Sequence, residues 1–272
     1  MPSFSNWFTA ALMATSAMAM PHAKVKRTAS KRGAAYDDVS LVSSLGGSSA
    51  VTWAYDWSLG SLLGNTIGLP SGVQYVPQIW GMNDLGNAGT AMTTLLASGS
   101  QYILGFNEPD MVSQANIDPT DAANAYLSSI VPFKGDAKLI SPAVTSSMTP
   151  GMGLSWFESF MGVCGTGCNL TGLAVHWYGD TSDEFITFVE QAMSTASQYG
   201  LPEVWVTEFA LNSDVNGIVD PNATAQDFLD VVLPWLDGQD QVTHYSYFMT
   251  AENYLITDGA SNAAGQSYAA AA

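Results

Sequence analysis

Two glutamates occupy equivalent positions, each at the end of a short apolar segment. Glu108 ends the segment YILGFNE and is followed by Pro109, and Glu208 lies near the end of the segment EVWVTEF. In folds built from parallel strands and helices, catalytic groups lie at the carboxyl ends of the strands. Two carboxyl groups that face each other across a sugar-sized gap are what the hydrolysis of a glycosidic bond requires. The sequence therefore predicts that Glu108 and Glu208 act as a catalytic pair on a sugar.

Each glutamate taken alone also has a structural interpretation, because a carboxylate after a strand can cap a helix or form a salt bridge. A salt bridge is disfavoured, since only two lysines and no arginine follow Arg32 in the chain. A helix cap stays open for Glu108, because a proline follows it. Catalysis explains the pair better than it explains either residue alone.

Eight short apolar segments can supply the strands that position this pair. They cover residues 33–37, 51–57, 74–80, 102–108, 137–144, 172–178, 203–209 and 243–249. Helical patterns separate them, with a capping signal at Asp118, apolar i, i+3, i+4 spacing over 183–199, and an apolar face that begins at Thr224. We expect one α/β domain over 33–272 that folds as a single (β/α)8 TIM barrel, with Glu108 on the fourth strand and Glu208 on the seventh. An open doubly wound sheet is the alternative, although no glycine-rich phosphate-binding loop follows any segment.

Four segments, in this order, resemble the fungal members of glycoside hydrolase family 128: LGFNEPD (104–110), SPAV (141–144), HWYG (176–179) and WVTEF (205–209). The resemblance spans residue 32 to about residue 268. It implies a secreted, retaining endo-β-1,3-glucanase with a (β/α)8 barrel, in which Glu108 is the acid/base and Glu208 the nucleophile. It implies no metal ion and no cofactor.

Three polar side chains near the glutamates are further candidates for the site. The resemblance implies that Asn107 hydrogen-bonds the substrate 2-hydroxyl, although a turn-forming asparagine before Glu-Pro is equally consistent with the sequence. Alternation along the sixth segment places His176 and Tyr178 on one face and Trp177 on the other. The resemblance implies that His176 and Tyr178 orient the nucleophile, whereas a hydrogen-bonded core histidine is the alternative for His176.

Aromatic side chains gather in the same segments, and the apolar faces of glucose rings stack on such side chains. They are Trp53, Tyr55, Trp57, Trp80, Trp177, Tyr178, Tyr245, Tyr247 and Phe248. Core packing is the alternative for most of them. We expect sugar contacts from Trp53, Trp57 and Trp80 above all, with Tyr55, Tyr178 and Tyr247 as further candidates.

Three positions depart from the pattern of the family that the chain resembles. Asp56 stands where an asparagine is common, Gln78 where an apolar residue is frequent, and Ala210 where glycine is usual. These differences leave the fine substrate preference open, but not the class of reaction.

The first 23 residues carry no charged side chain and contain a short apolar core that ends in Ala-Met-Ala at 17–19. This pattern predicts a secretory signal peptide over residues 1–23. A membrane span is the alternative, but it would require about 20 apolar residues and basic flanks. We therefore expect a secreted protein that is extracellular or in the cell wall and is not a membrane protein.

A basic segment, residues 24–32, follows and holds five of the seven lysines and arginines, including Lys26-Arg27 and Lys31-Arg32. Such pairs resemble the processing sites of a secreted pro-segment. Cleavage after Arg32 would leave two lysines and all 24 acidic residues. Phosphate backbones would be repelled by that chain, so nucleic acid is excluded as a partner and a neutral β-glucan polysaccharide or oligosaccharide is expected. A monomer is the default expectation.

Cys164 and Cys168 lie in the sequence CGTGC, whose glycines permit a tight loop, and in a secreted chain they predict a disulfide. Zinc is the alternative, but no second cysteine or histidine pair lies nearby in the sequence. Asn169 and Asn222 lie in Asn-x-Thr sequences and are candidate glycosylation sites.

Three functions are consistent with these patterns. The first is a retaining endo-β-1,3-glucanase, the second a non-catalytic glucan-binding protein of the cell wall, and the third the same mechanism on a β-1,4-linked glucan or mannan. The presence of both glutamates favours an enzyme, because binding alone needs neither an acid nor a nucleophile. The linkage preference rests on the resemblance alone.

Overall fold

The fold is described by a computed structural model, which covers residues 30–60, 68–215 and 224–270. The predicted signal peptide, residues 24–29 of the basic segment and Asn222 lie outside the described residues.

In the part of the chain that the structure describes, eight parallel strands lie in two sheets. The first sheet contains, in this order, β1 (Gly33–Ala35), β2 (Trp53–Tyr55) and β3 (Gln74–Tyr75). The second sheet is a curled half-barrel that contains, in the order of the chain, β4 (Tyr102–Ile103), β5 (Lys138–Val144), β6 (Leu170–Gly179), β7 (Glu203–Leu211) and β8 (Val242–Tyr247). Each of the eight predicted segments overlaps one of these strands, and β6, β7 and β8 extend past the predicted bounds. Two short antiparallel strands that were not predicted, β9 (Ile256–Thr257) and β10 (Ala260–Ser261), follow.

Isolated bridges join the two sheets at both edges. Arg32 pairs in parallel with Tyr245 beside β1 and β8, and Gln78 pairs in parallel with Leu104 between β3 and β4. β3 is shorter than the predicted segment because Pro77 has no N–H to give to a ladder. The residue before β1 is therefore bridged to β8, and residues that follow β3 and β4 are bridged to each other.

Among the described residues, six α-helices connect and flank the strands: α1 (Leu85–Ala97), α2 (Pro119–Ser129), α3 (Leu154–Cys164), α4 (Ser182–Gln198), α5 (Thr224–Gly238) and α6 (Ala263–Ala269). Short 3-10 helices cover Val39–Leu45, Gly47–Ser49, Met82–Asp84, Val131–Phe133 and Gly165–Cys168. The predicted start of α2 is confirmed, because the Asp118 carboxylate accepts from the N–H of Thr120 at 2.8 Å. Within the described part of the chain, no helix has the length and apolar character that crossing a bilayer would take.

The strands separate two hydrophobic clusters. On the outer face, side chains from β6 and β7 pack against α4 and α5, and Trp177 stacks on Phe228 with ring centroids 5.7 Å apart. On the inner face, a second cluster includes Trp53, Tyr55 and Trp205. The predicted alternation of β6 is confirmed, because Trp177 faces outward while His176 faces inward to contact the glutamates.

Lys31 and Arg32 pack into the fold, although the sequence predicted that they belong to the pro-segment. The Lys31 ammonium donates to the carbonyls of Leu236 at 2.9 Å and Asp237 at 3.1 Å, at the end of α5. The Arg32 guanidinium forms a 2.8 Å ion pair with Asp237 and donates to the hydroxyl of Tyr245 at 2.9 Å. Lys31 and Arg32 are only 6% and 5% exposed. The fold thus includes the last two residues of the predicted pro-segment, and the position of any processing cut stays a prediction.

The predicted disulfide between Cys164 and Cys168 is confirmed, with Cα atoms 5.5 Å apart. It joins the last residue of α3 to the end of the following 3-10 helix. Asn169 directly follows and is exposed, so it is accessible to the glycosylation that the sequence predicts.

Candidate active site

A cleft of about 720 Å³ opens at the carboxyl ends of the strands. Its lining combines two carboxylates with aromatic, methionine and small polar side chains. The lining residues are Trp57, Trp80, Asn107, Glu108, Met111, Gln114, Thr145, Ser146, Ser147, Met152, Tyr178, Glu208, Val215, Phe248 and Met249.

Glu108 reaches the cleft through an unusual backbone conformation. Its φ angle is +40°, in the left-handed region that residues other than glycine rarely adopt. The neighbouring strand holds this turn, because the N–H of Glu108 donates to the carbonyl of Ala143 at 2.8 Å. Close packing of the two strands also explains Gly105, where a Cβ atom would lie 2.6 Å from the nitrogen of Pro142. Strain of this kind persists where the surrounding structure fixes it, and it is common at active sites.

Glu208 reaches the same cleft through a bulge in β7. Val206 pairs with Val175 of β6, but the next pair is Glu208 with His176, so Thr207 is an extra residue in β7. Strict alternation from Val206, which faces outward, would turn Glu208 outward as well. The bulge reverses this parity and aims Glu208 inward, a use of bulges that is common next to active sites.

His176 lies between the two glutamates and contacts both. Its Nδ1 is 2.9 Å from Oε1 of Glu108 and 3.3 Å from Oε2 of Glu208. One side-chain ligand atom from each of the three residues lies within 4.8 Å of the other two. All three side chains are buried, with His176 fully so and Glu108 and Glu208 only 6% and 5% exposed.

Two further side chains donate to Glu208 and fix both of its oxygens. The indole Nε1 of Trp57 donates to Oε1 at 2.6 Å, and the hydroxyl of Tyr178 donates to Oε2. Trp57 itself has a φ angle of +55°. The adjacent Asp56 stabilises this turn, since it accepts from the hydroxyl of Ser58 at 2.8 Å and from that of Tyr75 at 2.5 Å. The aspartate that departs from the family pattern thus holds the loop that carries Trp57.

Burial and the neighbouring charges shift the pKa values of Glu208 and His176. Burial raises the pKa of Glu208, and the charge of Glu108 raises it further, while His176, Tyr178 and Trp57 act in the opposite direction. Burial by itself would lower the pKa of His176, but the two carboxylates outweigh it and the net pKa is raised. Both shifts favour the protonated forms of Glu208 and His176 over their ordinary behaviour in water.

The same three residues, Glu108, His176 and Glu208, are of the types that bind metal ions. Nδ1 of His176 faces a carboxylate oxygen of Glu108 at hydrogen-bonding distance. Both oxygens of Glu208 accept hydrogen bonds from Trp57 and Tyr178. These contacts among protein groups suit the handling of protons more directly than the ligation of a metal ion.

Asn107 lies in the cleft beside Glu108 and contacts two glutamines. Nε2 of Gln78 is 3.5 Å from its Oδ1, and its own Nδ2 is 3.4 Å from Oε1 of Gln114. The glutamine that departs from the family pattern therefore faces the amide of Asn107.

The predicted aromatic residues divide into three groups. Trp57, Trp80 and Tyr178 line the cleft, and Phe248 joins them by packing against Trp57 with ring centroids 5.7 Å apart. Tyr55 is one layer deeper, where its hydroxyl donates to the carbonyl of Thr207 at 2.9 Å. It supports Trp57 from below, with ring centroids 5.2 Å apart.

Trp53 and Tyr247 lie away from the cleft. Trp53 precedes Tyr55 by two residues on the same face of β2, and it packs deep inside, where its indole N–H donates to the carbonyl of Lys31 at 3.0 Å. Tyr247 is on the outer face of β8, and its hydroxyl donates to the carboxylate of Asp214 at 2.6 Å. Trp53 misses the cleft because it lies too far from the carboxyl end of β2. Tyr247 misses it because its side chain is on the outer face of β8. Neither position follows from the sequence pattern.

Most of the cleft residues that the sequence analysis missed come from loops. Met111, Gln114, Met152 and the segment 145–147 follow β4 and β5, and Val215 follows β7. They have no periodic pattern and no motif of their own. The one available signal was their position directly after predicted strands.

Comparison with known proteins agrees with this geometry. Residues 33–268 match the family model described as glycosyl hydrolase catalytic core. The structure resembles a family 128, subgroup III, curdlan-specific exo-β-1,3-glucanase from Blastomyces gilchristii, with a TM-score of 0.78 and 36% identity over 88% of this chain and 97% of that one. It also resembles a family 128, subgroup I, endo-β-1,3-glucanase from Amycolatopsis mediterranei crystallised with laminaripentaose, with a TM-score of 0.70 and 26% identity over 89% and 99% of the two chains.

A curated relative, alkali-sensitive linkage protein 1 from Schizosaccharomyces pombe, is 30% identical over 218 residues, which are 78% of this chain and 37% of that protein. The chain thus spans little more than a third of the length of this relative. The family match covers most of the chain, and the buried glutamates lie in the cleft of the matched region. The chain belongs to the glycosyl hydrolase catalytic core family and is a glycoside hydrolase of family 128.

Proposed function

We propose that the protein hydrolyses β-1,3-glucan by a retaining double displacement, with Glu208 as the nucleophile and Glu108 as the acid/base. The observation that carries this proposal is the separation of the carboxyl groups, which have oxygens within 4.8 Å of each other. Retaining enzymes place the two carboxyl groups about 5–5.5 Å apart, whereas inverting enzymes need roughly 6.5–9.5 Å to admit a water molecule. The closer spacing favours direct attack by one carboxylate.

The roles follow from the surroundings of each carboxylate. Trp57 and Tyr178 donate to Glu208 and hold it as an oriented anion. In the first step, Glu208 forms a bond to the anomeric carbon while the glycosidic bond breaks and Glu108 gives its proton to the departing oxygen. In the second step, Glu108 takes a proton from water, whose oxygen attacks the anomeric carbon and releases Glu208. His176 touches both carboxylates and can accommodate the change of charge as the proton moves.

We further propose that the two sheets form one closed (β/α)8 barrel. The bridges of Arg32 with Tyr245 and of Gln78 with Leu104 support closure, because they lie where the first sheet meets β8 and β4. The carboxyl ends of β4 and β7 lie at the same edge of the second sheet, and closure would make this edge part of one rim, which agrees with the contacts of His176 to both glutamates.

The substrate class is supported by the cleft and by the relatives. Trp57, Trp80 and Phe248 give the cleft an aromatic lining that suits sugar rings. The relatives of known structure are named as β-1,3-glucanases, and one was crystallised with laminaripentaose. Because these relatives include exo- as well as endo-acting enzymes, endo action remains our proposal from the sequence resemblance. Secretion and a place outside the cell or in its wall are likewise proposed from the apolar sequence of residues 1–23.

One product analysis tests this proposal. We expect the protein to release reducing sugar from β-1,3-glucan but not from β-1,4-linked glucan or mannan, and NMR should show the β-anomer as the first product. Early products of mixed length would indicate endo action, and glucose alone would indicate exo action. Binding of β-1,3-glucan without hydrolysis would instead support the non-catalytic alternative, and an α-anomeric first product would contradict the retaining mechanism.

Removal of the Tyr178 hydroxyl should change the pH dependence of hydrolysis. This hydroxyl lowers the pKa of Glu208 against the raising effect of burial. In Tyr178→Phe the pKa of Glu208 should rise further, so the acidic limb of the profile of kcat/KM against pH should move to higher pH. Tyr199→Phe is the matched control, because Tyr199 lies on the surface and is 38% exposed. An unmoved acidic limb in Tyr178→Phe would mean that another group controls it.

A further inference from the structure

Asp110 connects the loop that carries Glu108 with the loop that follows β5. Its carboxylate accepts from the N–H of Thr145, which is 3.2 Å from each of its oxygens, and from the hydroxyl of Thr145 at 2.5 Å. It also accepts from the N–H of Gly153 at 2.8 Å. Thr145 directly follows β5, and Gly153 directly precedes α3. One side chain therefore fixes both ends of the loop 145–153.

This loop forms a wall of the cleft through Thr145, Ser146, Ser147 and Met152, and it has a tight conformation. Gly153 has a φ angle of +56°, and a Cβ atom there would lie 2.2 Å from the carbonyl oxygen of Ser147. The Thr145 hydroxyl also accepts from the N–H of Ser147 at 3.3 Å. The shape of the wall thus depends on contacts that converge on Asp110.

The charge of Asp110 suits this position. Its carboxylate lies at the amino end of α3, where unpaired N–H groups and the helix dipole favour an anion. None of the ion pairs among the described residues includes Asp110. Its carboxylate accepts hydrogen bonds from two backbone N–H groups and one hydroxyl, so the wall and the carboxylate stabilise each other.

The wall lies on the acid's side of the cleft. It follows β5, which is the direct neighbour of β4 and thus of Glu108, whereas Glu208 is on β7, two strands farther along the sheet. The acid must reach the oxygen that joins the sugar attacked by the nucleophile to the sugar that departs. The wall beside the acid therefore faces the departing part of the chain.

We propose that Asp110 is a positioning residue that holds the 145–153 wall against the departing part of the glucan, and so determines how productively that part is bound. This inference rests on the proposed function. Asp110 acts through Thr145 and Gly153 and is not itself assigned contact with the reacting atoms.

Two substrates with the same donor sugars separate this role from general damage to the fold. One is a β-1,3-gluco-oligosaccharide, whose departing part is sugar, and the other is a dinitrophenyl β-laminaribioside, whose departing group needs neither the wall nor the acid. We expect Asp110→Ala to lower kcat/KM for the oligosaccharide about 10²-fold, the size that a small displacement of a bound substrate can produce. The aryl glycoside should be hydrolysed at nearly the original rate. Asp110→Asn keeps one acceptor oxygen and should recover part of the loss.

Asp230→Ala, a change of an exposed aspartate on α5, is the matched control and should alter neither rate. Equal losses on both substrates, or no loss on either, would overturn the role of Asp110. A protein that hydrolyses neither substrate before any substitution would instead contradict the proposed function. The role of the wall can then still be tested by calorimetry in the Glu208→Gln background. We expect Asp110→Ala to weaken binding of the β-1,3-gluco-oligosaccharide in that background. Unchanged affinity would overturn the inference.

Discussion

We expect the Glu208→Gln variant to release essentially no reducing sugar from β-1,3-glucan. The substitution keeps the shape of the side chain and its contacts with Trp57 and Tyr178 largely possible, but it removes the nucleophilic anion. Loss of a catalytic nucleophile typically lowers kcat on the order of 10⁴- to 10⁶-fold. The fold should remain intact, because burial opposes the charged form of Glu208 and the variant no longer carries that charge. Initial rates and a thermal unfolding curve measure the two effects separately.

Glu108→Gln should be distinguishable from Glu208→Gln by the choice of leaving group. On glucan both variants should be inactive, because the departing oxygen needs a proton from Glu108. On a dinitrophenyl glycoside, bond cleavage needs no acid, so Glu108→Gln should still form the covalent intermediate and show a burst of dinitrophenol. Glu190→Gln, a change of an exposed glutamate on α4, should have wild-type rates. Full activity on glucan in either active-site variant would remove that residue from the mechanism.

We expect the second large effect from Arg32→Ala, which should lower the stability of the fold. Its guanidinium is buried, with a side chain only 6% exposed, and pairs with Asp237 at 2.8 Å. Removal of one partner from a buried ion pair costs about 3–5 kcal/mol, because the other charge loses its compensation. Arg32→Ala should lower the free energy of unfolding by that amount and the melting temperature by roughly 10 °C. Urea or thermal unfolding measures it.

Lys134→Ala is the control for this prediction, since Lys134 is an exposed cation in the turn that precedes β5. Its removal should change stability by less than about 0.5 kcal/mol. If Arg32→Ala proves as stable as Lys134→Ala, the contacts at Asp237 and Tyr245 are not important for holding β1 beside β8.

The sequence was sufficient to predict the strands, and the pair of glutamates at their ends, because both depend on local patterns. Apolar segments bounded by turn residues mark buried strands whatever their partners are. The cap at Asp118 and the periodic helix near residues 183–199 are equally local, and the structure confirms both. Trp177 and His176 also follow the simple alternation of a strand.

The details of the site depend on features that alternation does not show. The extra residue Thr207 reverses the parity of β7 at Glu208, and the left-handed turn at Glu108 aims the other carboxylate. Trp53 is on the inner face of β2, as expected, but it lies deeper than Tyr55 and Trp57. Its aromatic ring therefore packs in the interior and not in the cleft. Depth and bulges are set by packing between strands, which no single segment encodes.

Lys31 and Arg32 show the same limit at the chain's beginning. As a dipeptide they are typical of a processing signal, and their partners at Leu236 and Asp237 lie about two hundred positions away in sequence. A short motif carries no information about such distant partners. Lys31 and Arg32 are buried because the fold packs the start of β1 against α5 and β8.

Arg32 also donates to the backbone carbonyls of Tyr268, in the last turn of α6, and of Ala270, which directly follows that helix. The beginning and the end of the described fold are therefore fastened to each other at a single spot. A substitution that removes the guanidinium would therefore loosen β1 and the end of α6 together. Arg32 in this sense closes the described fold on itself.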